Sequence, residues 1–153
     1  MKITPEHKML LHPSVAKHMF TSLAACFPYE GCGLLAGSSP LATRYLPVRN
    51  ISQNPRRSFE MDPHELVMAL EAIGDAGLEL FAFVHSHTKR SKNQVVPSAL
   101  DLQYEKTLTL KSVHVIVSWV YLDLLRPIAL GWHYPGTPIR LEMAQRLGDG
   151  SQY

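Results

Sequence analysis

Apolar residues recur along this chain at two spacings, and the changes of spacing mark its elements. From Pro13 to Ala25, Val15, Met19, Phe20 and Leu23 return every three or four positions, the period of a helix with one buried face. His12-Pro13-Ser14 supplies its start and Pro28 its end. Gly33 to Gly37 is a short apolar run closed by Gly-Ser-Ser-Pro, which predicts a buried strand. Ala42 to Val48 predicts a second strand, near a sheet edge because Pro47 has no N–H for a ladder. Asn50 to Arg57 is polar, holds Pro55 and reads as a loop; Ser58 to Met61 reads as a short strand. Asp62-Pro63 starts a second helix with Leu66, Val67, Leu70 and Ile73 on its inner face and Gly74 and Gly77 near its end.

Leu78 to Val84 is almost continuously apolar, the pattern of a central strand covered on both faces. Thr88 to Val96 is a polar, basic loop, and Pro97-Ser98 opens a helix to about Leu108. Val113 to Leu122 and Ile128 to Tyr134 read as strands, Leu141 to Leu147 as a terminal helix, and Gly148 to Tyr153 as a loose tail. Strands and helices alternate, but too irregularly for a purely parallel sheet. The expected class is therefore α/β, a mixed central β-sheet flanked by helices. A single domain overall is expected, with residues 136–153 as a C-terminal helix and tail.

Composition narrows this picture only slightly. The chain has 153 residues, 46% of them hydrophobic and 18% charged, which fits one ordinary globular domain. A formal net charge of +2 is too small to argue for nucleic acid. Cys26 and Cys32 are too few for a secreted disulfide framework. Met1 to Leu11 lacks an apolar leader core, and the greasy stretch from Val113 to Leu125 is interrupted by His114 and Asp123. A cytoplasmic protein with neither membrane nor nucleic acid as partner is the expectation.

Three short patterns carry chemistry. His85-Ser86-His87 ends the most apolar strand, where residues i and i+2 face the same way and two imidazoles can share one ion. Alone, such a pair is more often two unrelated polar residues. Ser98-Ala99-Leu100-Asp101 is first of all a helix-start capping box, and a capping carboxylate competes with a metal-binding one for Asp101. Glu30, just ahead of Cys32-Gly33-Leu34-Leu35, is either a solvated strand start or an acid drawn inward by the close approach that Gly31 and Gly33 permit. Taken together, two His, one Asp and a spare Glu match a catalytic zinc with three protein ligands and one open position.

At these residues the sequence resembles the JAMM, or MPN-type, metallopeptidases, whose signature is a Glu before a Cys-Gly-Leu-Leu-like strand, then His-Ser-His, then Ser-x-x-Asp. Arg49-Asn50 through Phe59-Glu60-Met61-Asp62-Pro63 is also similar to the family's intervening segment. The resemblance covers roughly residues 10–135, which it implies are the domain proper, and it implies an MPN-like, cytidine-deaminase-like three-layer sandwich. It implies that His85, His87 and Asp101 bind one Zn²⁺ ion with a catalytic water, that Glu30 is general base and then acid, and that Ser98 stabilises the oxyanion. The implied reaction is hydrolysis of peptide or isopeptide bonds after the Gly-Gly tail of ubiquitin-like or sulfur-carrier proteins, which are the implied partners. Thr88 stands where the family usually has proline, and the basic stretch Lys89 to Gln94 lengthens the connection to Ser98. Alternatives are a non-catalytic MPN-type scaffold, which typically lacks this His, Asp and Glu set, and a DNA-repair-associated JAMM-like protein. A nucleoside deaminase fails, because His-x-Glu with a downstream Pro-Cys-x-x-Cys is absent.

Overall fold

The computed structural model describes residues 8–88, 95–102, 113–119, 123–124, 126–133 and 137–145. The elements run β1 (Lys8–Leu11), α1 (Pro13–Cys26), β2 (Cys32–Ser38), β3 (Leu41–Val48), α2 (Pro63–Asp75), β4 (Glu79–Ser86), β5 (Val113–Trp119), β6 (Pro127–His133) and β7 (Thr137–Met143). α1 and α2 each begin with proline in the first turn behind a side-chain cap. His12 Nδ1 accepts the Ser14 N–H, and Asp62 Oδ1 accepts those of His64 and Glu65.

The sheet is mixed, in the order β1-β3-β2-β4-β5-β6-β7, and it closes because β1 pairs in parallel with both β3 and β7. β4 lies antiparallel to β2, with Cys32 opposite His85, and parallel to β5, with His85 opposite Ile116. The expected mixed sheet with helices is thus present, but the strands curl into a ring rather than lying as an open central layer. That closure corrects one prediction and adds one strand for which none was made. No terminal helix starts at Leu141: Ile139, Leu141 and Met143 alternate with Arg140 and Glu142, which is strand period, and β7 joins β6 to β1. The stretch Lys8–Leu11, read only for a leader, is the strand that completes the ring.

Ser58 to Met61 is not a strand either; only Met61 bridges, antiparallel to Asn50. Residues 99–102 are helical, and the continuation of that helix to Leu108 lies outside the described residues, as do the end of the predicted strand at residues 120–122 and the predicted tail.

Two apolar clusters sit on opposite sides of β2 and β4. One gathers Val15, Met19 and Leu23 of α1 with Leu35, Phe81, Val84, Val115, Val117, Trp119 and Ile139. The other gathers Ala69 and Ile73 of α2 with Cys32, Leu34, Ala36, Phe59, Met61 and Phe83. Alternation along β4 therefore sends Val84 toward α1, and Phe83 and His85 toward the α2 side. Glycine permits the close approach of α1 to the start of β2: a Cβ on Gly31 would lie 2.9 Å from Leu23 Cδ2 and 3.0 Å from Cys26 Sγ. No helix among the described residues is long and apolar enough to cross a membrane.

Candidate metal centre

The strand that carries the histidine pair fixes one imidazole by packing and the other by its backbone. His85 is 1% exposed, and its ring stacks on Phe59 at 4.3 Å between centroids and 19° between planes. β4 ends at Ser86, yet the His87 N–H still donates to the Val117 carbonyl at 2.8 Å, so the extended course continues for one more residue. Both imidazoles consequently face one point, with their Nε2 atoms 3.1 Å apart. Ser86, between them, points the other way. Its Oγ accepts the Gly31 N–H at 2.8 Å and its own N–H donates to the Gly31 carbonyl at 2.9 Å, tying β4 to the residue after Glu30.

Asp101 closes the group. Its Oδ2 lies 2.9 Å from His87 Nε2 and 3.1 Å from His85 Nε2. The same oxygen accepts the Ser98 N–H at 2.9 Å, while Ser98 Oγ accepts the Asp101 N–H at 3.1 Å. The capping box and the cluster with the imidazoles, set out from sequence as competitors, therefore coexist, because one carboxylate oxygen has room for several partners. Burial alone would raise the Asp101 carboxyl, but hydrogen bonds from His85 and His87, with the Ser98 N–H, hold it well below the usual carboxylate range. Burial pushes the His85 imidazole below its ordinary value despite the attraction of Asp101. When both imidazoles carry their proton on Nδ1, the two Nε2 atoms and the carboxylate oxygen all turn lone pairs toward the common point, which is the state that metal binding requires.

This donor set fits a divalent cation. Two imidazole nitrogens and a carboxylate oxygen are zinc ligand types, and a tetrahedral ion about 2.0–2.1 Å from each would space them by roughly 3.3 Å. The observed separations of 2.9–3.1 Å are close to that value. His85, His87 and Asp101 are also the His/Cys/Asp/Glu group among the described residues whose ligand atoms fall within 4.8 Å of one another.

Glu30 lies outside that group and is placed by its backbone. It is 5% exposed, so it is not a solvated strand start. Its N–H donates to the Pro55 carbonyl at 2.7 Å, and its carbonyl accepts from Asn50 Nδ2 at 2.9 Å. The neighbouring Cys32 is 3% exposed, with its Sγ–H directed at the Val48 carbonyl. Burial, reinforced by Cys26, Glu30 and Glu65, pushes its thiol up to about 12, which makes it a packing residue.

Away from the His and Asp cluster, Arg56 lies with its guanidinium 5.7 Å from the Tyr29 ring centroid. Trp119 is buried in the core. Trp132 is half-buried and donates from Nε1 to the Val95 carbonyl at 2.7 Å, fastening the segment that leads to Ser98. Two residues near the site had no chemical signal of their own: Phe59 against His85 and Asn50 beside Glu30. Their place in the segment similar to the JAMM pattern was the only hint.

The fold and this grouping define a JAMM-type domain, and comparison with known proteins places the chain within a family. The family of prokaryotic homologs of the JAB domain matches residues 12–127, and the chain belongs to it. A desampylase from Haloferax volcanii is 41% identical over 90 residues, which span 58% of this chain and 63% of that protein. Tail tip assembly protein K of Escherichia phage N15 is 38% identical over 101 residues, 66% of this chain but only 37% of the phage protein. The chain thus matches less than two thirds of the length of either relative. A JAB1/MPN domain protein from Archaeoglobus fulgidus superposes with a TM-score of 0.59 at 21% identity, covering 90% of this chain and all of that one, which establishes the shared fold.

Proposed function

We propose that this protein is a zinc-dependent hydrolase that cuts peptide or isopeptide bonds following the Gly-Gly tail of ubiquitin-like or sulfur-carrier proteins. The observation that carries the reading is the convergence of His85, His87 and Asp101 on one point, in a chain that belongs to the family of prokaryotic JAB homologs and is similar to a desampylase. In this reading the two Nε2 atoms and Asp101 Oδ2 hold a single Zn²⁺. When bound, the ion supplies a Lewis acid that polarises the scissile carbonyl and makes water acidic near neutral pH.

The rest is the work of the chain's own side chains. Glu30, buried and drawn toward β4 by the paired Gly31–Ser86 hydrogen bonds, takes a proton from the attacking water and returns it to the leaving amine. Ser98 accepts the Asp101 N–H through its oxygen, which leaves its hydroxyl proton to donate to the developing oxyanion. Phe59 stacks on one side of His85 and keeps its Nε2 directed at Asp101.

The test is cleavage of ubiquitin-fold proteins ending in Gly-Gly, with and without a chelator, by wild type and Glu30→Gln. Cleavage after the tail that a chelator stops, zinc restores and Glu30→Gln lacks is the expected outcome. Undiminished turnover in the variant would remove Glu30 from the base role. A second reading, a structural module without turnover, draws on the likeness to tail tip assembly protein K. It predicts no cleavage of any such substrate and no loss of partner binding in Glu30→Gln.

A further inference from the structure

Asn50 has no place in the chemistry outlined above, yet its side chain is fully engaged. Nδ2 donates to the Glu30 carbonyl at 2.9 Å and to the Ser58 carbonyl at 3.1 Å. Oδ1 accepts the Ser52 N–H at 2.9 Å and the Glu60 N–H at 3.0 Å. A primary amide has two N–H donors and two lone pairs, so all of its capacity is spent.

Three of those four bonds stay within residues 50–60. That loop is already closed by main-chain bonds, Ile51 N–H to the Glu60 carbonyl at 2.8 Å and Ser58 N–H to the Asn54 carbonyl at 3.0 Å, and by the antiparallel bridge between Asn50 and Met61. The fourth bond leaves the loop and ends on Glu30. The same loop takes the Glu30 N–H on the Pro55 carbonyl, so both main-chain polar groups of Glu30 are held by one segment. That segment also carries Phe59, whose ring lies on His85. The loop therefore touches the acid at one end and an imidazole at the other.

We propose that Asn50 is a positioning residue: its amide locks the loop of residues 50–60 to the Glu30 main chain and so sets the Glu30 carboxyl in register with the His85–His87 pair. The proposal rests on the base role given to Glu30. Asn50 lies outside the group of His85, His87 and Asp101, and it acts through the backbone of Glu30. Asparagine is required rather than aspartate, because two of the four partners are carbonyl oxygens that need N–H donors.

The test compares wild type, Asn50→Asp, Asn50→Ala and Ser52→Ala, the last disturbing only contacts inside the loop. Three quantities are read: kcat against KM, zinc affinity by chelator competition, and hydrogen exchange of the Glu30 and Gly31 amides. Asn50→Asp and Asn50→Ala are expected to lower kcat roughly 10–100-fold, the usual cost of removing a supporting partner. KM and zinc affinity should stay within about threefold of wild type, a shift of under 1 kcal/mol, and the Glu30 amide should exchange faster. Ser52→Ala should match wild type in all three.

Unchanged exchange at Glu30 in both Asn50 variants overturns the proposal whatever the activity. So does a parallel fall of kcat, zinc affinity and melting temperature, which describes a general structural role. If wild type cleaves nothing, the functional reading fails, while the exchange measurement still decides whether Asn50 holds Glu30.

Discussion

The end of β4 and the loop of residues 50–61 meet at the same site, and they specify it in opposite ways. β4 supplies ligands through regularity: an apolar run sets a strand, the strand sets a two-residue period, and the period turns His85 and His87 toward one point. The loop has no period. It supplies position, through the Asn50 amide and Pro55 carbonyl on Glu30, the Phe59 ring on His85 and the Arg56 carbonyl that accepts the Thr88 hydroxyl at 3.0 Å. The difference teaches that residue types reveal which groups can carry chemistry, whereas the groups that hold them still are found only once distant segments are brought together.

The comparison breaks most clearly at Phe59. It is 7% exposed within the α2-side cluster and also stacks on His85, so Phe59→Ala removes core volume and ring support together. The expected loss of stability is ~3 kcal/mol, seen as a shift of the denaturant midpoint. Phe59→Leu should recover most of the stability without restoring zinc affinity. Equal recovery of both would reduce Phe59 to packing alone.

A second effect, of similar or smaller size, sharpens the strand half. His114 on β5 is buried and stacks on Phe83, with ring centroids 5.5 Å apart. Burial, with a smaller contribution from nearby His85, pushes its imidazole down to about 4, against the attraction of Asp101. Between the ordinary value of 6.5 and about 4, the unfolded chain binds a proton that the folded chain refuses. Stability should therefore fall as pH drops through that window, by about 3 kcal/mol from this group. Denaturant titrations of chelator-treated protein at pH 7 and pH 4.5 should show the fall, and His114→Leu should make it shallower, leaving the part that belongs to buried His85; an unchanged fall in the variant would assign the acid sensitivity elsewhere.

The smallest effect belongs to Thr88, where proline is usual in the family. Thr88→Val loses one exposed hydrogen bond to Arg56, expected to cost about 0.5–1 kcal/mol. Thr88→Pro, lacking the hydroxyl as well, should cost at least as much in this chain. A gain in stability for proline would mean that the Thr88–Arg56 bond contributes nothing.

How much was legible in the sequence follows the same division. α1, α2, β2, β4, β5 and β6 were readable because their burial follows a local period or an unbroken apolar run. β1 and β7 were not. Lys8–Leu11 is too short to show alternation, and Thr137–Met143 alternates weakly beside Pro138 and was displaced by a helix placed at Leu141. Both are strands because they pair with each other and close the ring, a long-range fact that the short Lys8–Leu11 run does not show and the weak alternation of Thr137–Met143 only hints at. At the site, the group formed by His85, His87 and Asp101 was legible from residue type and spacing only together with the resemblance to the JAMM signature. The coexistence of the Ser98–Asp101 cap with that group was not, since it depends on one oxygen serving three partners at once.

The central claim is that two imidazoles and the helix-start carboxylate hold one ion. The most direct measurement is the zinc content of purified protein beside that of Asp101→Ala, after dialysis against a weak chelator. One zinc per chain in wild type and little in the variant is the predicted result. Full stoichiometric zinc retained by Asp101→Ala, or none bound by wild type from a zinc-supplemented buffer, would contradict it.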